Sequence, residues 1–330
     1  MNNDAFYEFR SVSIEGPYRA VVLSPVLRWN TAVAVSMGSN DAPNVQEEDS
    51  ARAFTSAFSA APGRHIATRV WVRKTDTSFT NEDAAALEKL LSASTIALPA
   101  RDSAADSDVD RLIAEWVSAQ STKSDAGRDL LTGLNSTQAA KDGISHPFNV
   151  ATVLSQTAPF DRPLPSAGKA SLPYYDASGL RGVRLDSSAS KLSLYLFYGD
   201  AKSISELHSR LTPAVWNDIT SRFRTQVVNV PPLPLSVTER WNFRLPAYYK
   251  VYGTYVTAPG TENLTLDVDR AGIALDAATA IEGYAAPDTH LDSLRLAGRR
   301  ASVTPEQSVL FAVVDSTTGA IVVLGANATP

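Results

Sequence analysis

Residues 264–303, LTLDVDRAGIALDAATAIEGYAAPDTHLDSLRLAGRRASV, constrain the fold of this chain more than any other stretch. Strand patterning runs through Leu264, Leu266 and Val268 and meets Gly272. It then continues through Ile273, Leu275, Ala277 and Thr279 before the chain turns polar. Successive strand residues point to opposite faces, so these last four share one face while Ala274, Asp276 and Ala278 share the other. The first set is apolar or small, and the only charge lies in the second. The first face is therefore expected to enter a core and the second to meet solvent. Gly272 is expected to supply backbone freedom where the pattern restarts. The segment has the chemistry of a strand although it leads into what reads as an exposed loop.

The rest of the chain supplies the surroundings. With 330 residues and 44% hydrophobic content it can bury a sizeable core as one large domain or two small ones. No internal repeat and no linker composition divides it. A net charge of −5 with scattered Lys and Arg gives no reason to expect nucleic acid or an anionic membrane as partner. There is no cysteine, which excludes disulfides, thiol catalysis and Cys-ligated metal. The opening residues show no signal-peptide pattern, and no apolar run approaches the length of a membrane span. The compartment stays open: cytoplasmic as the chain stands, secreted if a signal was trimmed.

Strands and helices alternate without βαβ regularity, which predicts the α+β class. AVVLSPVLRWNTAVAVSMG (20–38) reads as a short strand, a Ser24-Pro25 opener and a buried helix stopped at Gly38. A strand is predicted over 65–79. A helix follows over 80–94, capped at Thr80 or Asn81, with Ala85, Leu87, Leu90 and Leu91 on its apolar face. Another helix, 108–121, carries Leu112, Ile113, Trp116 and Val117. Val150, Ala151, Val153 and Leu154 mark a buried strand ended by prolines, and 190–200 alternates up to a turn at Gly199-Asp200. Residues 203–223 read as two helical pieces broken at Pro213, and 226–238 as one extended run confined by its prolines to an edge or a strand end. The chain closes with a hairpin around Asp315–Gly319.

Familiar catalytic constellations are missing. His65, His146, His208 and His290 have no metal-ligand spacing, and there is no nucleophile elbow, P-loop or dinucleotide fingerprint. Ser166–Lys169 and Ser188–Lys191 fit S-x-x-K, but both lie in loop-like stretches and no K-T-G strand follows. Neither a cofactor nor a metal is expected, and the chain is not expected to be an enzyme.

The order of segments resembles the serpin superfamily over nearly the whole chain from about residue 20. The strand, Ser-Pro and helix of 20–38, the strand and helix of 69–94, and LIAEWVSAQS resemble successive family segments. So do VATVLSQTAPFDRPL and SKLSLYLFYGDAKSISELHSRLTPAVWNDI. The C-terminal SVLFAVVDSTTGAIVVLGANATP is similar to the family's ending, with Phe311, Asp315, Thr318 and Gly325 in register. Just upstream, VDRAGIALDAATA resembles the hinge V-D-E-E-G-T-E-A-A-A-A-T-A, with Val268, Asp269, Gly272, Ala277, Ala278, Thr279 and Ala280 matching without a gap.

The resemblance implies a serpin fold: a large central mixed sheet, additional sheets, helices packed around them and an exposed reactive-centre loop. It implies one domain over 1–330, with 269–303 as hinge plus loop. It further implies a protease inhibitor that acts as a suicide substrate, most readily of a serine protease. The loop is cut, and the hinge, Gly272, Ile273, Ala274, Leu275, Asp276, Ala277, Ala278, Thr279 and Ala280, enters the sheet as a new strand. Serpin loop insertion is a standard example of strand addition. The alternative is a serpin-fold binding or structural protein that proteases merely cut. Candidate scissile residues are Tyr284 and Ala286 counted from Gly272, and Arg295 and Arg299 near the position counted back from the C-terminal hairpin. They would suit chymotrypsin-like and trypsin-like partners respectively, and a monomer is expected. Ile273, Leu275 and Asp276 depart from the family's preference for small residues in the hinge; elsewhere Thr152 takes the place of the usual Asn, Phe160 that of Trp and Leu27 that of Ser.

Overall fold

A computed structural model describes residues 2–11, 20–38, 45–73, 80–98, 105–122, 148–177, 179–249, 254–283, 300–304 and 308–328. Among them, strands are organised in two seven-stranded sheets. The first contains β1 (Ala20–Leu23), β5 (Lys169–Ala177), β6 (Leu180–Ser187), β7 (Leu192–Gly199), β8 (Arg224–Asn229), β13 (Val309–Asp315) and β14 (Ile321–Asn327), in the order β1-β14-β13-β7-β6-β5-β8. The second contains β2 (Arg64–Arg73), β3 (Ser94–Leu98), β4 (Phe148–Pro159), β9 (Leu235–Tyr249), β10 (Thr254–Val268), β11 (Gly272–Gly283) and β12 (Arg300–Thr304), in the order β12-β9-β10-β11-β4-β2-β3. Every pairing is antiparallel except β2 with β3, so the second sheet is mixed.

The sheets face one another across the main core, where Leu194, Leu196, Phe311 and Val313 of the first meet Leu154, Leu235, Leu266 and Leu275 of the second. Helix α1 (Asn2–Ser11), α6 (Ala201–Arg210) and α7 (Pro213–Ser221) cover the outer face of the first sheet, with Phe6, Phe9, Ile204, Leu207 and Trp216 against Phe197, Leu310 and Leu324. Helix α5 (Ala105–Gln120) covers the outer face of the second through Ile113, Trp116 and Val117. Helix α2 (Pro25–Gly38) and α4 (Asn81–Leu91) close the inner side at one end, over Val70, Val150 and Ile281, and α3 (Val45–Ser59) contributes Phe58 to the main core. The stacking is helix, sheet, sheet, helix, a layered α+β arrangement.

Local chemistry accounts for these elements. Thr80 caps α4 through Asp83 in a reciprocal capping box. Asp200 caps α6 by accepting the Ser203 N–H, and Thr212 followed by Pro213 opens α7. Asp315 closes the last hairpin by accepting the N–H groups of Thr317 and Thr318.

Three local expectations change. In α4, Ala85 is exposed and only Leu87, Leu90 and Leu91 are fully buried, because the stripe that meets β2 and β4 is narrower than the sequence suggests. Leu112 of α5 lies at the margin of its contact with the sheet and is 37% exposed. The stretch 226–238 is two strands in different sheets: β8 at one edge, the prolines between, then β9, which is flanked on both sides. The prolines mark the crossing between sheets.

Candidate functional site

The residues read as a hinge form β11, a central strand. Its register is complete on both sides, from Val268↔Ile273 to Gly260↔Ile281 with β10 and from Gly272↔Pro159 to Gly283↔Phe148 with β4. Sequence reading puts these residues at the start of an exposed loop; here they are interior sheet. Tyr284, Ala286, Arg295 and Arg299 lie outside the described residues.

A short turn joins β10 to β11. The Asp269 carboxylate accepts the N–H groups of Ala271 at 2.7 Å and Gly272 at 2.9 Å, an Asx-type closure. The Arg270 and Ala271 carbonyls accept from Leu164 and Phe160 N–H groups, each at 2.8 Å, which docks the turn onto the chain leaving β4. Gly272 is needed here for space. An added Cβ would sit 2.4 Å from the Ala158 carbonyl oxygen and 2.8 Å from Pro159 Cα. The expected backbone freedom is not what the position uses; close approach of two main chains is.

The inward face matches the alternation in the sequence. Ile273, Leu275 and Ala277 are buried in the main core beside Leu264, Leu266 and Val268 of β10 and Leu235 and Val237 of β9. The larger Ile273 and Leu275 therefore fill space between the sheets. Burying such side chains stabilises by about 1.5–3 kcal/mol each.

The outward face corrects an expectation. Ala274 is exposed, but Ala278 and Ala280 are buried under α5, against Trp116, Ile113 and Val117. Alanines allow the helix to lie close to the strand. Asp276 is only 6% exposed. Its carboxylate accepts Ser121 Oγ and Thr122 N–H, both at 2.7 Å, and the Thr122 hydroxyl as well.

A polar row crosses the sheet at one level beneath α2. Thr68, Thr152, Thr279 and Glu262 are successive register partners on β2, β4, β11 and β10, all on the inward face. The Thr68 and Thr152 hydroxyls are 3.2 Å apart, and Thr31 Oγ1 of α2 donates to the Leu27 carbonyl at 2.7 Å. Glu262 is fully buried; one oxygen accepts Arg28 Nε at 2.7 Å and the other the Ser24 N–H at 3.1 Å. The Ser24 hydroxyl donates to Val322 of β14. Helix α2 is thus tied to both sheets directly beside β11. Leu27 and Phe160 are buried parts of the main core.

Sequence reading missed Arg28 and Glu262, although both left a signal. Arg28 is the one charge in an otherwise uncharged helix, and Glu262 shares the parity of Leu264 and Leu266. A charge on an apolar face requires a buried partner. The S-x-x-K matches form no site: Ser188 Oγ donates to Asp161 at 2.7 Å, and Ser166, Lys169 and Lys191 are exposed. His65 Nε2 meets Gln120 Oε1 at 3.0 Å, while His146 and His290 lie outside the described residues. Among the described residues no three His, Asp or Glu side chains are grouped to hold a metal ion, and no helix is long and apolar enough to cross a membrane.

Comparison with known proteins gives a consistent answer at the level of structure. No protein-family model matches the chain. No curated protein matches it in sequence either. Among solved structures, the thermophilic serpin tengpin in the latent state superimposes with a TM-score of 0.66 at 13% identity, covering 99% of this chain and 96% of its own. Cleaved Serpin 42Da gives 0.68 at 12% identity, covering 98% and 96%. A loop-inserted, cleaved ovalbumin mutant gives 0.69 at 11% identity, covering 100% and 98%. The superposition extends end to end in each case, and this chain has the fold of the serpin superfamily.

Proposed function

We propose that the protein is a serpin-type protease inhibitor acting as a suicide substrate, most readily of a serine protease. It is read as a single domain over 1–330, monomeric, with 269–303 as hinge and loop, of which 272–283 form β11 and 300–303 already lie in β12 beside β9. The supporting observation is the fit of β11, which has a continuous ladder on both sides and complementary packing on both faces. A strand that completes the sheet so fully gives insertion a large driving force.

The mechanism follows from that fit. The protease serine attacks the carbonyl of a loop residue, Tyr284, Ala286, Arg295 or Arg299. The peptide bond breaks, the new amine leaves with the C-terminal portion, and an ester joins enzyme and loop. The freed hinge then enters between β10 and β4. At about 3.4 Å per residue, the twelve residues of β11 carry the attached enzyme on the order of 40 Å along the sheet. Inhibition requires that this outpace hydrolysis of the ester. None of the protein's own residues performs chemistry.

One observation favours a second reading, a serpin-fold binding scaffold: β11 already occupies the sheet in an uncut chain. Thermal unfolding of the intact protein and of protein nicked between 281 and 300 separates the two. A marked rise in Tm on nicking, with SDS-stable complexes on a panel of trypsin-like and chymotrypsin-like enzymes, supports inhibition. An unchanged Tm and simple cleavage support the scaffold.

A further inference from the structure

Asp276 is the charged residue of the hinge core, and its surroundings are specific. It faces Ser155 on β4 and Thr265 on β10 in register, and no cation lies within ion-pair distance among the described residues. Its three hydrogen bonds all come from Ser121 and Thr122, where α5 ends. The Ser121 N–H still closes the last turn of α5 on the Val117 carbonyl at 2.9 Å, so the donors belong to the helix end itself. One turn earlier, Trp116 and Val117 pack on Ala278 and Ala280 of the same strand.

A carboxylate withdrawn from water without a cation needs donors to replace its hydration. Here a single main-chain N–H and two hydroxyls supply them, and all three belong to another element. With β11 out of the sheet, Asp276 returns to water and the end of α5 loses its acceptor. With β11 in place, both are satisfied. The two events are linked, and linkage is reciprocal: whatever seats the end of α5 favours the strand, and the strand favours the seat.

We propose that Asp276 is a latch that couples occupancy of the sheet by β11 to the seating of the C-terminal end of α5. This rests on the reading of 272–283 as a strand that enters the sheet. Asp276 acts through position: it holds the inserted strand under the helix. It also explains why a charge occurs where small residues would pack more simply.

A double-mutant cycle on the full chain tests the latch, using Asp276→Ala, the pair Ser121→Ala with Thr122→Val, and all three together. Each protein is measured intact and after nicking between 281 and 300. Unfolding is followed by far-UV circular dichroism, and Trp116-region fluorescence follows the seat of α5. For the nicked form, Asp276→Ala is expected to lower the folding equilibrium constant roughly ten- to hundredfold. The helix-end pair should have little further effect once Asp276 is gone, a coupling of about fivefold or more. The intact chain can also hold β11 in the sheet; on the proposed reading only part of the molecules do so before cleavage, so both effects should be smaller in the intact form. Additive losses in the nicked form, with wild-type Tm still rising on nicking, would overturn the latch alone. Equal coupling in both forms, with no wild-type response to nicking, would overturn it together with the mobile-strand reading.

Discussion

Thr279 lies directly opposite Thr152 across the β11–β4 ladder, yet only Thr152 has a hydroxyl partner, at 3.2 Å on Thr68. Both side chains are fully buried, and the Thr279 hydroxyl has no hydrogen bond. The row of polar groups across the sheet is thus satisfied on β2, β4 and β10 and interrupted on the strand that is proposed to move.

An unsatisfied buried hydroxyl costs about 1–3 kcal/mol, and valine keeps the shape without it. Thr279→Val is therefore expected to stabilise the inserted state by about 1 kcal/mol. Thermal unfolding of the nicked protein should show a rise of roughly 2 °C. A fall in Tm would show that the hydroxyl has a partner in solution.

Gly272→Ala tests close approach at the start of β11. The methyl would meet the Ala158 carbonyl oxygen at 2.4 Å, and backbone cannot yield as a side-chain tip can. Overpacking of this kind costs about 1–3 kcal/mol. The nicked protein should lose stability by that amount and become easier to cleave at 272–280 in limited proteolysis. A substitution without effect would mean that the two main chains are not in contact.

Arg64 and Asp315 form a fully buried pair at 2.8 Å that joins β2 of one sheet to β13 of the other. Burial lowers the Arg64 pKa, and the Asp315 carboxylate opposes that shift. The guanidinium also donates to Gln156 at 2.7 Å and the Phe58 carbonyl at 2.6 Å. Removing one charge strands the other, so Asp315→Asn or Arg64→Met is expected to cost about 3–5 kcal/mol in urea unfolding. Combining Arg64→Met with Asp315→Asn, which keeps an acceptor for the Thr317 and Thr318 N–H groups, should cost less than the sum of the two single changes.

Asp200 gives a pH dependence with a definite sign. The Ser203 N–H, on the first turn of α6, holds its carboxyl below the usual carboxylate range. A lowered folded pKa adds stability that is fully present above the unfolded carboxylate value and is lost as pH falls through the folded one. Asp200→Asn keeps a capping oxygen but does not titrate. Its Tm should therefore fall less steeply than wild type on acidification below the carboxylate range. Parallel curves would remove Asp200 from the acid response.

What the sequence made legible follows physical type. Alternation identified the inward face of β11, since Ile273, Leu275 and Ala277 had to share a side. Capping chemistry located α4, the break at Pro213 separated α6 from α7, and turn chemistry located the last hairpin. The covering of the outward face was not legible, because Ala278 and Ala280 look the same under a helix as in water. Nor was the pairing of Asp276 with Ser121 and Thr122, 154 residues away at Thr122, since hydrogen-bond partners at that separation leave no periodic trace. Gly272 was correctly singled out for the wrong reason: local sequence suggests turn freedom, and only the neighbouring strand shows the lack of room.

The first sheet closes the chain on itself. Ala20 pairs with Asn327, and among the described residues β14 is the only strand paired with β1. The whole stretch from Leu23 to Ile321 separates the two strands, so during synthesis β1 must wait for all of it before its partner exists. Until then one of its edges offers free hydrogen-bonding groups on a fully apolar tetrapeptide, Ala-Val-Val-Leu. Until β14 is made, that edge is available to any other strand, and translation of β14 is the event that closes it.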